Sequence, residues 1–352
     1  MLLKLPYTEK LLKEKIENKE FDSYAIYVKK GNSITILTSE NINEDTYFDI
    51  ASCGKILVTT PLLLQAIHKG LLTLENTLND FFVNVPVDKK GITIKQLLTH
   101  TSGMSTYYLS DEAVKGGREA IAQEILSHPL VFESGSDYIY SDFGMILLWF
   151  ILEKVYKDCL ENVFEKYLKK PMGYTRSKFN IAVNEQNSAI CYRSQNIEGF
   201  SSPWDDEKIR AMGTSAGNGG QFFSLADIKR FANAVLNKDE RLYPKKLFEL
   251  AERVHTPDHT SEARGLGWLI VNEKYHQTGN LFPNGSFGHC GHTGQSIFFN
   301  REMDMCVAIL TNATRFLNMR SGFKGYNYAE IMKMREHIHN EIYLDLTNQN
   351  LL

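Results

Sequence analysis

An α+β fold is predicted: one antiparallel sheet built from N- and C-terminal segments and flanked by helices, with a mainly helical subdomain inserted between the two halves. Strand-like runs fall at both ends of the chain and helical apolar periodicity fills the middle. A length of 352 residues exceeds what one hydrophobic core organises, so two intimately packed subdomains are expected. These form a single domain over residues 1–352, with the α/β part near 1–75 and 240–352 and the helical part near 76–239.

The chain opens with a helix over Thr8 to Lys19 and two strands, Ser23 to Lys29 and Ser33 to Ser39, whose connecting Lys30-Gly31-Asn32 is a hairpin signal. After Ser52, the residues Ile56, Leu57, Val58, Leu62, Leu63, Leu64, Ala66 and Ile67 carry largely helical spacing. The middle continues with helical runs at Ile94 to His100, Arg118 to His128, Phe143 to Val155, Leu160 to Leu168 and Leu225 to Leu236. Clusters at Ser134-Gly135-Ser136 and Gly213 to Gly220 punctuate them. Strands return at Gly265 to Val271, Ser286 to Cys290, Gln295 to Phe299 and Cys306 to Asn312, before a last helix near Tyr328 to Ile342.

Composition narrows the function classes. A net charge of −3 with interspersed signs leaves no basic stripe for nucleic acid, and no polybasic or amphipathic membrane signature is present. The apolar start Met1 to Leu5 breaks at Pro6 and runs into the charged stretch Glu9 to Glu20, unlike a signal peptide, and no window has the length of a membrane span. Cys53, Cys159, Cys191, Cys290 and Cys306 are odd in number and scattered, which points to reduced thiols rather than a disulfide framework. A cytoplasmic protein with neither nucleic-acid nor membrane partners is expected; its oligomeric state stays open.

Ser52-Cys53-Gly54-Lys55 carries the chemistry. In the first turn of a helix, Ser52 and Lys55 share a face. The macrodipole and unpaired backbone N–H groups there favour a developing alkoxide, while the ammonium one turn on can take or lend a proton. S-x-x-K alone is a short pattern that a solvated serine and lysine also satisfy. Its company is more specific: Phe48-Asp49-Ile50-Ala51 precedes it, and Leu97-Leu98-Thr99-His100-Thr101-Ser102-Gly103-Met104, Tyr140-Ser141-Asp142 and Gly288-His289-Cys290-Gly291-His292-Thr293-Gly294 follow.

In this order and spacing the motifs resemble the serine β-lactamase and penicillin-binding-protein superfamily, specifically its class C-like branch of esterases, D-amino-acid-specific peptidases and related hydrolases. The resemblance covers nearly the whole chain and implies three roles. Ser52 is the acylated nucleophile, Lys55 the proton carrier, and Tyr140 the group that deprotonates the incoming water or alcohol. The oxyanion would rest on the backbone N–H groups of Ser52 and His292, and Asp142, His289 and Gly291 would contact substrate. No metal or other cofactor is implied. Lysine and tyrosine titrate near ~10 in water, so a desolvated cleft must supply either a neutral Lys55 amine or a Tyr140 phenolate, and the sequence leaves both open.

Two other patterns compete with this reading. Gly213-Thr214-Ser215-Ala216-Gly217 matches the G-x-S-x-G nucleophile elbow, but it follows the charged Asp205 to Arg210 rather than a buried strand and precedes Asn218-Gly219-Gly220 rather than a helix. It reads instead as a glycine-rich loop leading to a helix capped at Ser224, with Asp227 completing an approximate capping box. The histidines raise the possibility of a metal site, but strand alternation puts His289 opposite Cys290 and His292, which argues against one. His100 reads as a scaffold residue tying down a helix end with Ser102 and Gly103.

Two departures bear on substrate. His289 stands where β-lactamases and DD-peptidases usually carry a carboxylate-binding lysine, and Asp142 stands where they carry asparagine, so Asp142 is free to hold Lys55 or a loop instead. Both point away from penicillins. The expected function is a serine hydrolase forming an acyl-enzyme on Ser52, with a small ester or amide as substrate. The alternatives are a D-amino-acid-specific peptidase, a weak β-lactamase, or a non-catalytic sensor on the same fold, which the intact Ser52, Lys55 and Tyr140 argue against.

Overall fold

Alternation along the central strands decides the layering. In β1 (Tyr24–Lys30), Ala25 and Tyr27 point to one face and Ile26 and Val28 to the other; in β10 (Met305–Thr311), Cys306, Ala308 and Leu310 oppose Val307 and Ile309. All these residues are buried, so both faces must be covered by other layers. The helices Pro6–Glu17 and Ala329–Asn348 pack together and cover the Ile26–Val307–Ile309 face. The opposite face is covered by the helices Thr60–His68 and Leu225–Leu236, through Leu62, Leu63 and Phe231, together with Trp268.

The computed structural model describes residues 3–181, 188–189, 206–275, 277–321 and 327–352. Its main sheet runs β2 (Ser33–Thr38), β1, β10, β9 (Ser296–Asn300), β8 (Phe287–Cys290), β7 (Leu269–Ile270) and β6 (Ala263–Arg264), every neighbouring pair antiparallel. The sheet is therefore assembled from both termini, as predicted. Tyr24 pairs with Thr311 and Lys30 with Met305, which places the first hairpin beside the last strand.

Three differences from expectation bear on the site. The run at Gly265 to Val271 is not one strand: the chain turns through 265–268, closed by Gly265 N–H donating to Trp268 O at 2.9 Å, and only Leu269–Ile270 pairs, with Ala263–Arg264 as its hairpin partner. A second sheet, β3 (Phe48–Asp49), β5 (Phe222–Phe223) and β4 (Ser177–Lys178), was not foreseen, because two-residue strands carry no readable periodicity. The segment after Ser52 is not a regular helix at its start. A tight 3₁₀ turn, Ala51–Cys53, opens into a wide π turn, Lys55–Thr59, before the α-helix Thr60–His68 begins. Such local rewinding is a recurrent feature of functional sites. Here it turns Lys55 inward, fully buried, beneath Ser52.

Candidate active site

Three separate segments converge on Ser52. Its own turn is fixed from below by the glycine-rich loop: Ile50 N–H donates to Gln221 O at 3.1 Å, and a Cβ on Gly54 would lie 1.9 Å from Gln221 Oε1. The helix Asp142–Tyr156 supplies the second segment. Its cap, Ser141, accepts from Gly144 N–H, which leaves Tyr140 in the extended approach and Asp142 at the first helical position. The third segment is the end of β8. Thr293 Oγ1 and Gln295 Nε2 both donate to Asp49 O, at 2.8 and 2.6 Å, and a Cβ on Gly291 would come 2.7 Å from Ile50 O. Only glycine permits that approach. Residues 291–293 thus lie against the turn that carries Ser52.

Within this frame Tyr140 Oη lies 2.9 Å and Lys55 Nζ 3.0 Å from Ser52 Oγ. The ammonium also donates to Asp142 Oδ1 at 3.0 Å and Asn218 O at 2.7 Å. Burial lowers the Lys55 pKa, opposed by Asp142 and Asp206 and reinforced by Lys208. Burial and the Asp142 charge push the Tyr140 phenol well above its ordinary value, outweighing its bond to Ser52 and the nearby Arg264. The group drawn toward its basic form at neutral pH is Lys55; the phenol keeps its proton.

Asp142 turns out to be a hub. Its N–H donates to Thr106 Oγ1 at 2.8 Å, one carboxylate oxygen meets Lys55, and the other faces Lys208 Nζ at 3.6 Å. Burial works against its charge, but Lys55 and Lys208 outweigh that and hold the carboxyl below its usual range. Lys208 in turn meets Asp206 Oδ1 at 3.1 Å, Asp206 Oδ2 accepts from Asn218 Nδ2 at 2.9 Å, and the Asn218 carbonyl returns to Lys55. Sequence reasoning missed Lys208, Asp206 and Asn218. The signal available for Asp206 was its position as N-cap of the helix Glu207–Met212, which the structure uses through a 2.8 Å bond from Lys208 N–H.

His289 Nδ1 lies 2.7 Å from Cys290 O, so that nitrogen carries the proton, and the Nε2 lone pair faces Arg264 Nη1 at 3.5 Å. Burial, with Arg264 and Lys55 nearby, holds the ring well below the usual histidine pKa and thus neutral. Arg264, itself buried, pairs with Glu262 and donates to Tyr138 Oη at 2.8 Å. β8 ends at Cys290, so strand alternation does not carry past it. His289, Cys290 and His292 all line the cleft, and the exposed His292 ring stacks on Tyr328 with centroids 5.1 Å apart. The cleft encloses about 980 Å³ and is rimmed by Tyr107, Tyr108, Tyr275 and Tyr328.

Ser215 is fully buried, its hydroxyl 2.7 Å from Phe179 O and 2.8 Å from Gly220 O, away from the cleft lining. It is a loop staple, as its context predicted; Asp205, part of that context, lies outside the described residues. Ser224 caps the helix Leu225–Leu236 by accepting from Asp227 N–H, while the Asp227 carboxylate instead accepts from Thr175 and Arg176 N–H. His100 does not tie its own helix end by its ring: Nδ1 accepts from Ser141 N–H at 3.2 Å and the ring packs 4.6 Å from that of Tyr140, so its scaffold role is exerted on the Tyr140-Ser141 turn. Among the described residues no cluster of three or more His, Cys, Asp or Glu could hold a metal. Cys53, Cys159, Cys290 and Cys306 are free thiols; Cys191 lies outside the described residues. No helix among the described residues is long and apolar enough to cross a membrane.

A family model described as Beta-lactamase matches residues 8–329. A candidate D-alanyl-D-alanine carboxypeptidase of Escherichia coli O157:H7 is 26% identical over 321 residues, 81% of this chain and 73% of that protein. Among solved structures, a class C beta-lactamase in complex with cefoxitin superposes with a TM-score of 0.75 at 15% identity, covering 95% of this chain and 98% of the other. EstCE1, a hydrolase with promiscuous acyltransferase activity, gives a TM-score of 0.72 at 18% identity over 91% of this chain and 98% of its own. These two structures share the fold.

Proposed function

The chain belongs to the beta-lactamase family, and on that premise we propose that it is a serine hydrolase that forms an acyl-enzyme on Ser52 and turns over a small, uncharged ester or amide, esters ahead of peptides. The observation that carries the reading is the meeting of Lys55 Nζ and Tyr140 Oη on Ser52 Oγ at 3.0 and 2.9 Å. In acylation the Lys55 amine takes the Ser52 proton as Oγ bonds the acyl carbon, and the proton is then delivered to the leaving group. The backbone N–H groups of Ser52 and His292 are the proposed donors to the oxyanion. In deacylation Tyr140, bonded to Ser52 Oγ, hands protons between the incoming water and Lys55.

An uncharged substrate is favoured by how Lys208 and Arg264, two of the cations lining the cleft, are engaged and by the neutral state of His289. Lys208 faces Asp206 and Asp142, Arg264 is paired with Glu262, and His289 is neutral where a carboxylate-binding lysine would stand. The four free thiols suit a reducing compartment, which supports a cytoplasmic location as part of the same proposal.

A panel of short-chain aryl esters, D-amino-acid amides, a D-alanyl-D-alanine peptide and benzylpenicillin, compared by kcat/KM, tests the reading. Esters are expected to lead. Faster turnover of the dipeptide or of penicillin would move the assignment to a peptidase or β-lactamase, and absence of turnover together with absence of fluorophosphonate labelling would remove the hydrolase reading.

A further inference from the structure

Base catalysis by Lys55 has a cost that falls on Asp142. While Lys55 is an ammonium, the two charges compensate each other at 3.0 Å. Once Lys55 becomes the amine that accepts the Ser52 proton, a carboxylate whose side chain is 18% exposed loses that partner. A poorly solvated carboxylate without a cation is strongly disfavoured and would pull the proton back onto the pair.

We propose that Lys208 is the standing counter-ion of Asp142, a positioning residue that lets Lys55 pass between ammonium and amine without stranding a half-buried carboxylate. The proposal rests on the Ser52 hydrolase reading. The position of Lys208 suits this role, because its side chain is 13% exposed and its ammonium lies 3.6 Å from the Asp142 oxygen that Lys55 leaves unused. It is anchored by Asp206, whose other oxygen holds Asn218, and Asn218 closes a five-residue circuit by accepting from Lys55. Burial disfavours the Lys208 charge, but Asp206 and Asp142 outweigh this and push its pKa up to about 12, so it stays cationic across the working range.

The other charged or titratable groups around Lys55 do not supply this compensation. Cys53 on its own segment is a buried thiol held protonated. Tyr140 keeps its proton, and His100 and His289 are neutral. Arg264 is committed to Glu262, Asp206 carries the wrong sign, and the exposed His292 stacks on Tyr328.

The test uses covalent modification, which needs no knowledge of the substrate: Ser52 Oγ bonds the phosphorus of a fluorophosphonate, fluoride leaves, and the hydroxyl proton passes to Lys55. The second-order rate is followed from roughly pH 5 to pH 10, spanning the range in which a depressed lysine titrates. In the full chain the rate should rise through a limb set by Lys55. Lys208→Met should move that limb upward by about one pH unit, a roughly tenfold loss below it, and Lys208→Arg should restore it. In an Asp142→Asn background, where no carboxylate is left to strand, the shift caused by Lys208→Met should shrink to a fraction. Lys208→Gln is the alternative replacement should Lys208→Met not fold. A limb unmoved by loss of the cation, or moved equally in both backgrounds, overturns the proposal. Failure of the unmodified protein to be labelled at Ser52 at any pH instead overturns the hydrolase reading.

Discussion

Lys55 and Tyr140 approach one oxygen from two sides, and they also approach each other, the ammonium lying 4.9 Å from the centre of the phenol ring. The proposed mechanism makes them one proton-transfer unit. Lys55→Ala and Tyr140→Phe should each lower kcat by roughly 10²-fold or more, and the double variant should lose far less than the product of the two. Simple multiplication of the losses in a double-mutant cycle would show that they act separately.

Nucleophile and loop staple separate cleanly. Ser52→Ala should abolish turnover and labelling. Ser215→Ala should keep most activity but cost about 1 kcal/mol or more of stability, because a buried hydroxyl bonded to Phe179 O and Gly220 O is removed. Mass spectrometry after fluorophosphonate treatment and denaturant unfolding read the two effects. Labelling that persists in the Ser52 variant and vanishes in the Ser215 variant would reverse the assignment.

Gly291→Ala should impair chemistry more than folding. Its new Cβ would meet a backbone carbonyl, Ile50 O, at 2.7 Å, forcing residues 291–292 away from the Ser52 turn. Loss of one oxyanion donor costs about 10²–10³-fold in kcat. An unchanged kcat would show that the donors lie elsewhere.

Stability should fall with acid in a defined window. His100 and His289 are held well below the ordinary histidine value of 6.5, chiefly by burial, and His339 is held at about 3. Below pH 6.5 the unfolded chain therefore binds protons that the native state refuses, and stability is lost as pH falls through that value. Each group contributes about 1.4 kcal/mol of loss at one unit below it. Unfolding midpoints measured across this range should slope accordingly, and His339→Gln should flatten the slope by about one third of the three-histidine effect; a midpoint independent of pH would contradict the neutral assignments.

Replacing His289 by lysine probes the charge of the substrate subsite. A lysine there restores a cation, but it does so beside the Arg264 guanidinium, 3.5 Å from the present ring nitrogen. Repulsion should offset the gain, so His289→Lys should not raise kcat/KM for benzylpenicillin appreciably. A marked rise for this variant would show that Arg264 does not govern the charge of this subsite.

The legible parts of the site were those carried by short contiguous motifs. Ser52 and Lys55, Tyr140 and Asp142, and His289 to His292 each announced themselves because local spacing encodes their relation. Lys208, Asn218 and Arg264 did not, since each acts across the fold. Lys208 reaches Asp142 from a helix of six residues, and Arg264 sits in a two-residue strand. The halves of the main sheet were foreseen from strand-like runs at both ends of the chain, whereas the hairpin at 263–270 was concealed by an apolar run that turns at its centre. Helical periodicity located the segment after Ser52 but could not report its π turn, because a single widened turn barely alters the apolar pattern.

The bond from Gln295 Nε2 to Asp49 O joins residues 246 positions apart and sets a clock on biosynthesis. At about 5–20 residues per second, a ribosome needs roughly 12–50 s after making Asp49 before the partner that fixes the Ser52 turn exists. Throughout that interval the nucleophile is present without its frame, and β1 waits beside an empty place for β10. Ribosome-stalled chains ending before Gln295 should resist fluorophosphonate, and reactivity should appear only when the C-terminal strands have emerged. On the proposed reading, Ser52 would be armed only in the last third of its own translation, once Gln295 and the strands around it exist.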